Sequence, residues 1–285
     1  MKIAESIADF GSLLPEIRKR GSSLALVPTM GALHAGHISL IRKAREIAAN
    51  VVVSIFVNPI QFGPSEDFQR YPRPLENDLA ILREEGVHVL FLPSASELYP
   101  EGYKTIVTVE DLDRKYCDQF RPGHFRGVTT IVLKLINIVQ PTAAVFGQKD
   151  GQQCVIIQRM VNDLNLQVRI VVCPTVREPD GLAVSSRNQY LSKSERKAAV
   201  VIYQGLKKAE GLVQDGERNT AAILSEVKAH ISNEILARLQ YAEIVEPLNL
   251  SPILRLEQEG LMLLAVFIGR TRLIDNIRLP VISRN

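Results

Sequence analysis

Through the first 173 residues, short unbroken apolar runs alternate with stripes of apolar residues at helical spacing. Leu24-Ala25-Leu26-Val27, Val51-Val52-Val53-Ser54-Ile55-Phe56-Val57, Val87-His88-Val89-Leu90-Phe91-Leu92, Ala143-Ala144-Val145-Phe146 and Val168-Arg169-Ile170-Val171-Val172-Cys173 suit strands covered on both faces of a parallel sheet. Between them lie segments with a period near 3.6. These are residues 5 to 20, the face Ile38, Ile41, Ala44, Ile47 and Ala48, and the face Leu75, Leu79 and Leu82 of a helix started by Pro74 and stopped by Gly86. The face Val128, Ile131, Val132, Leu135 and Val139, broken by Pro141, and residues 152 to 163 complete the set. Strand alternating with helix predicts an α/β fold with a doubly wound parallel sheet.

The rhythm changes after Cys173. Pro174 to Asn188 is polar and rich in turn formers, with Pro179-Asp180-Gly181 at its centre, and reads as a connection. Ser192-Lys193-Ser194-Glu195 is a capping box predicting a long helix to about Gln214, and a second helix is expected from Thr220 to Leu239. Strands at Tyr241 to Val245, Leu261 to Ile268 and Leu273 to Leu279 would complete a smaller α+β domain. The boundary falls near Val176, giving domains of residues 1–175 and 176–285.

Composition narrows the class of function. The 285 residues, 46% hydrophobic and 23% charged, are those of a globular protein able to bury a sizeable core. Net charge is +3 without a basic tract, which suits small anions and offers neither a nucleic-acid arm nor a membrane span. Cys117, Cys154 and Cys173 are odd in number and widely spaced, so neither a disulfide framework nor a zinc site is expected; a reducing, cytoplasmic setting fits, and the charged N-terminus shows no signal core.

Candidate chemistry gathers where strands end. Val27-Pro28-Thr29-Met30-Gly31-Ala32-Leu33-His34-Ala35-Gly36-His37 joins a strand to a helix whose N–H groups and dipole attract anions. Its HxGH histidines read either as phosphate donors or as polar side chains that simply face water. Gln61 follows the second strand, and Lys149, Asp150 and Gln153 follow Ala143–Phe146. Ser185, Ser186 and Arg187 lie in the connection. Together they read as an anion site between two domains, with donors enough for a triphosphate. Arg121-Pro122-Gly123-His124-Phe125-Arg126-Gly127 is either a solvated loop or a flap over an anion. Asp150 could instead cap the helix after it, and Met30 and Val176 could be core. No GxSxG elbow, P-loop or GxGxxG fingerprint is present.

The stretch Val27–His37, Ser54-Ile55-Phe56-Val57-Asn58-Pro59-Ile60-Gln61-Phe62, Arg121–Val128, Phe146-Gly147-Gln148-Lys149-Asp150, Asp180-Gly181-Leu182-Ala183-Val184-Ser185-Ser186-Arg187-Asn188 and Thr271-Arg272-Leu273-Ile274-Asp275-Asn276 resemble, in order, the motifs of the pantothenate synthetases, members of the HxGH nucleotidyltransferase superfamily. The resemblance implies a Rossmann-like first domain binding ATP and pantoate, and a second that closes over the nucleotide. It implies ATP-dependent condensation of pantoate with β-alanine to pantothenate, AMP and pyrophosphate through a pantoyl adenylate, a step of coenzyme A biosynthesis. A carboxylate is a poor acyl donor until its oxygen is made into a good leaving group such as AMP. The catalytic task is then to align two anions and neutralise charge on phosphate.

By matching motif, the resemblance assigns His34 and His37 to the phosphates and Lys149 to transition-state charge. Ser185, Ser186 and Arg187 would act from the second domain. Met30, Gly147, Asp150, Val176 and Val184 would contact ATP, and Pro28, Met30, Gln61 and Gln153 pantoate. Magnesium would ride on the phosphates, with Asp78 touching it through water, and a homodimer would form through the N-terminal domain. Val184 stands where methionine is common and Asn77 where an acid is common, departures that bear on nucleotide packing and on a metal role. Another HxGH nucleotidyltransferase would not need Gln61 and Gln153 together with the Arg121–Gly127 loop. A nucleotide sensor without catalysis would be expected to lack Lys149 or a histidine.

Overall fold

The computed structural model describes residues 1–19, 22–64, 66–112 and 114–281. Arg20, at the end of the first expected helix, and residues 282–285 of the second expected domain lie outside them. The chain divides into two compact units, Met1–Gly147 with Ile156–Pro174, and Gln148–Val155 with Thr175–Asn285.

The first unit is a six-stranded parallel sheet in the order β1-β4-β3-β2-β5-β6, made of β1 (Lys2–Ala4), β2 (Leu24–Thr29), β3 (Asn50–Ile55), β4 (Val89–Phe91), β5 (Ala143–Gly147) and β6 (Arg169–Cys173). Helices α1 (Ile7–Ile17), α2 (Ala35–Ile47), α3 (Leu75–Glu84), the short α4 (Ala95–Leu98) and α5 (Cys117–Phe120), α6 (His124–Val139) and the part of α7 (Gly151–Asp163) from Ile156 onward intervene. Apolar runs became strands because both their faces are covered. Ala25, Val27, Val51, Val53 and Leu90 pack with Leu40, Ile41, Ala44, Leu79 and Leu82 of α2 and α3. On the other parity, Phe91 meets Phe10 of α1 with ring centroids 5.4 Å apart.

Strand order reverses between β2 and β5, which are neighbours through Ala25↔Ala143 and Leu26↔Ala144. In open sheets, ligands gather outside the carboxyl ends of strands at such a reversal. The HxGH turn leaves the carboxyl end of β2.

In the second unit, α8 (Lys193–Ala198), α9 (Val201–Gln214) and α10 (Thr220–Ser232) pack on the antiparallel strands β7 (Ala237–Val245), β8 (Gly260–Ile268) and β9 (Thr271–Leu279), ordered β7-β8-β9. Met262, Leu264, Val266 and Ile268 alternate into that core.

Two expectations about elements are corrected, and one strand lies outside the expected set. The single helix expected to Gln214 is α8 and α9, separated where the Val200 N–H turns back only three residues to Lys197 O. The helix expected to Leu239 stops at Ser232, and β7 takes up residues 237–239. Ile235 prolonged the apolar period, but it is 96% exposed and belongs to a turn in which the Ala237 N–H reaches Glu234 O. The short edge strand β1, three residues long, carries no pattern of its own.

Candidate active site

The turn after β2 is held open by a residue far along the chain. Asp78 of α3 is 1% exposed, and its two carboxylate oxygens accept the Ala32 and Leu33 N–H groups, each at 2.8 Å. Thr29 Oγ1 donates to Ser54 O at 2.8 Å and accepts the Gly31 N–H at 3.2 Å. So braced, Ala32 keeps a φ of +51°, a conformation a non-glycine residue holds only when its surroundings fix it. Burial pushes the Asp78 carboxyl above its usual range, and the two N–H groups oppose that shift. Both Asp78 oxygens are thus engaged by backbone N–H groups of the turn. Asp78→Asn should destabilise the fold by about 1–3 kcal/mol, since the amide puts a donor against a backbone donor; an unchanged urea midpoint would refute this brace.

At the mouth of α2, His34 is the N-cap. Its Nδ1 accepts the Gly36 N–H at 3.2 Å, and His37 Nδ1 accepts the His34 N–H at 3.4 Å, a capping box built from imidazoles. The rings lie 4.0 Å apart, tilted by 31°. A Cβ on Gly36 would come within 2.9 Å of His34 Cε1, so the glycine of HxGH lets the ring fold onto the helix end. With Nδ1 accepting, the proton of each neutral ring sits on Nε2 and makes that atom a donor. Pro28 and Met30, half-buried, precede this mouth.

Beside it, the 3-10 turn Pro59–Gln61 after β3 carries Gln61, 8% exposed. Gln61 Nε2 lies 3.2 Å from Met30 Sδ, and Gln61 Oε1 accepts from Asn58 Nδ2 at 2.9 Å. The Arg121–Gly127 segment is docked here. Arg121 pairs with Glu66 at 2.5 Å, and His124 Nδ1 lies 2.9 Å from Gln61 O.

In the second unit, the 3-10 turn Gln148–Asp150 presents Lys149, whose Nζ lies 3.5 Å from Asp150 Oδ1. Two consecutive buried residues of β9 organise this unit's polar segments. Asn276 Nδ2 donates to Gln148 O at 2.7 Å and Lys149 O at 2.9 Å, while its Oδ1 accepts from Gln148 Nε2 at 2.7 Å. Asp275 receives two bonds from Arg177, at 2.5 and 3.1 Å, and Arg177 lies 4.4 Å over the Tyr203 ring.

Arg177 pairs with Ala183 in a short antiparallel hairpin turning at Glu178–Gly181, whose base is closed by the Val184 N–H on Val176 O at 3.0 Å, so Val176 and Val184 are neighbours; both are half-buried. Ser185 Oγ caps the next turn through the Arg187 N–H at 3.3 Å, with Ser186 and Arg187 inside it. Lys149, Asp150, Gln153, Val176, Val184, Ser185, Ser186 and Arg187 thus belong to the second unit, and Pro28, Met30, His34, His37, Gln61 and Gly147 to the first.

Against proteins already characterised, the family model described as pantoate-beta-alanine ligase matches residues 2–278. The chain belongs to the pantoate–β-alanine ligase family. A pantothenate synthetase of Thermoanaerobacter sp. (strain X514) is 50% identical over 277 residues, 97% of this chain and 98% of that one. A pantothenate synthetase structure from Thermus thermophilus superposes with a TM-score of 0.94 at 43% identity, over 98% of this chain and all of the other. The pantoate–β-alanine ligase of Francisella tularensis, solved with β-γ ATP and β-alanine, is 36% identical with a TM-score of 0.79 over 97% of each chain.

The activity that goes with this ligase family is the ATP-dependent joining of pantoate to β-alanine through a pantoyl adenylate, as the motifs imply. Sequence reasoning gives no role to the residues that hold Gln61 and the Lys149 and Arg177 turns: Asn58, Asp275 and Asn276 lie inside the family motifs, and Tyr99 outside them. Their signal was polarity at positions that prove 1% to 4% exposed for Asn58, Asp275 and Asn276.

Proposed function

We propose that His34 and His37 hold the phosphates of ATP at the α2 mouth. The observation carrying this reading is the double Nδ1 cap, which seats both imidazoles side by side, ring centroids 4.0 Å apart, at the N-terminus of a helix. Lys149 offsets charge as the pantoate carboxylate attacks the α-phosphorus and pyrophosphate leaves. Ser185, Ser186 and Arg187 add donors from the second unit, where Asp150, Val176 and Val184 border the nucleoside; Gly147 and Met30 do so from the first. Pantoate lies against Pro28 and Met30, with Gln61 and Gln153 on its oxygens. The amine of β-alanine then attacks the acyl carbon and expels AMP. No covalent enzyme nucleophile is required.

Magnesium enters this reading with the nucleotide, held by its phosphates. The described residues do not fit a protein-held ion: they contain no group of three His, Cys, Asp or Glu side chains able to hold one, and both Asp78 oxygens accept backbone N–H groups. No step is therefore assigned to a protein-bound metal. Assembly as a homodimer through the first unit follows the family resemblance, and sedimentation at micromolar concentration tests it. A cytoplasmic location suits the three buried cysteine thiols. No described helix is long and apolar enough to cross a membrane.

With pantoate and ATP but no β-alanine, pyrophosphate release is expected to stop after about one turnover and to resume when the amine is added. Steady release without the amine, or no release until it is present, would overturn the adenylate sequence.

A further inference from the structure

We propose that Tyr99 is a positioning residue for the acid substrate: through Asn58 it fixes which end of the Gln61 amide faces the ligand. The proposal rests on the reading that Gln61 touches pantoate.

Its physical basis is a directional chain of hydrogen bonds. Tyr99 OH donates to Asn58 Oδ1 at 2.8 Å. That turns Asn58 Nδ2 the other way, where it donates to Gly127 O at 3.0 Å and Gln61 Oε1 at 2.9 Å. Gln61 Oε1 is thereby engaged, and Nε2 is left on the side of Met30, 3.2 Å from its sulfur. Gln61 therefore presents N–H donors, matched to carboxylate or hydroxyl oxygens and mismatched to a ligand that must donate. Reversing Asn58 would bring its carbonyl against Gly127 O and Gln61 Oε1, three acceptors together.

Surroundings keep the chain in place. Asn58 is 1% exposed, so water is not at hand to substitute for a lost partner. Gly127 has no room for a Cβ, which would stand 2.6 Å from Ile60 O; its absence lets the first turn of α6 bring a carbonyl to Asn58. The Tyr99 ring packs against Tyr103 and Phe56, with centroids 5.1 and 6.1 Å away, and Lys134 Nζ sits 4.6 Å over the Tyr103 ring. Burial pushes the Tyr99 phenol above its ordinary range, so it stays a donor at any assay pH near neutrality.

Tyr99→Phe removes one hydroxyl and keeps the ring. It is expected to raise KM for pantoate about tenfold, with KM for ATP and β-alanine within twofold and the melting temperature within a few degrees. In a Gln61→Ala background the same substitution should change kcat/KM for pantoate less than twofold, because the group being oriented is gone. Asn58→Ala, cutting the chain at its middle, should reproduce the pantoate-selective defect.

If Tyr99→Phe has no effect, shifts all three KM values alike, or acts by the same factor in both backgrounds, the residue is structural and the proposal fails alone. If Gln61→Ala itself leaves kcat/KM for pantoate unchanged, the reading of Gln61 fails and the proposal with it.

Discussion

Lys149→Ala is expected to lower turnover by a hundredfold or more while KM for pantoate moves only severalfold. In the proposed reaction the lysine meets charge that grows on the phosphates as the carboxylate attacks, so its contribution belongs to the transition state. Removing one such charged donor typically costs on the order of 3 kcal/mol, and each 1.36 kcal/mol is about a factor of ten in rate. The fold supports that selectivity. The backbone carbonyl of Lys149 is fixed by Asn276 Nδ2 at 2.9 Å, and the side chain is 21% exposed, so its ammonium is carried on an anchored turn. Asp150 Oδ1, 3.5 Å from Nζ, belongs to a carboxylate 44% exposed, which solvent screens. Parallel losses in kcat and kcat/KM would mark an interaction made only in the transition state. Unchanged turnover would remove Lys149 from the mechanism. A rise in pantoate KM at constant kcat would reassign it to ground-state binding.

What the sequence disclosed and what it hid divide along a physical line. The parallel sheet was legible because strands covered on both faces must be apolar throughout, and Val51-Val52-Val53 can hardly be anything else. The helix carried too far, to Leu239, shows the converse: Ile235 and Leu236 kept an apolar period in solvent, where no packing enforces it. The HxGH turn was readable because its cap is local, three residues wide. Asp78 braces that turn from 45 residues away, Tyr99 reaches Asn58 across 41, and Asn276 reaches Lys149 across 127. Spacing cannot report such partners, since their meeting is set by the sheet and not by any local period. That the partners of Asp78 include two backbone N–H groups is visible only in the folded turn.

Asp275→Ala is expected to destabilise the second unit by about 3–5 kcal/mol, the usual consequence of leaving one member of a buried ion pair alone. Asp275 is 4% exposed on β9, and Arg177 has a side chain 19% exposed. Alanine removes both bonds to the guanidinium and the acceptor of the Asn276 N–H at 2.8 Å. Arg177 keeps its bond to Gly181 O at 3.1 Å and its place over Tyr203, neither of which neutralises its charge. The urea midpoint, followed by circular dichroism with the m-value held, measures the loss; a change under about 1 kcal/mol would show the pair to be solvated. Asp275→Asn should fall between, since its carbonyl can still accept the Asn276 N–H. The paired replacement Arg177→Met with Asp275→Leu separates charge from packing. With no orphaned ion left, it should recover much of the stability. Activity should not follow, because Arg177 opens the turn that leads to Ser185, Ser186 and Arg187, and a methionine cannot bond Gly181 O to hold that turn's shape.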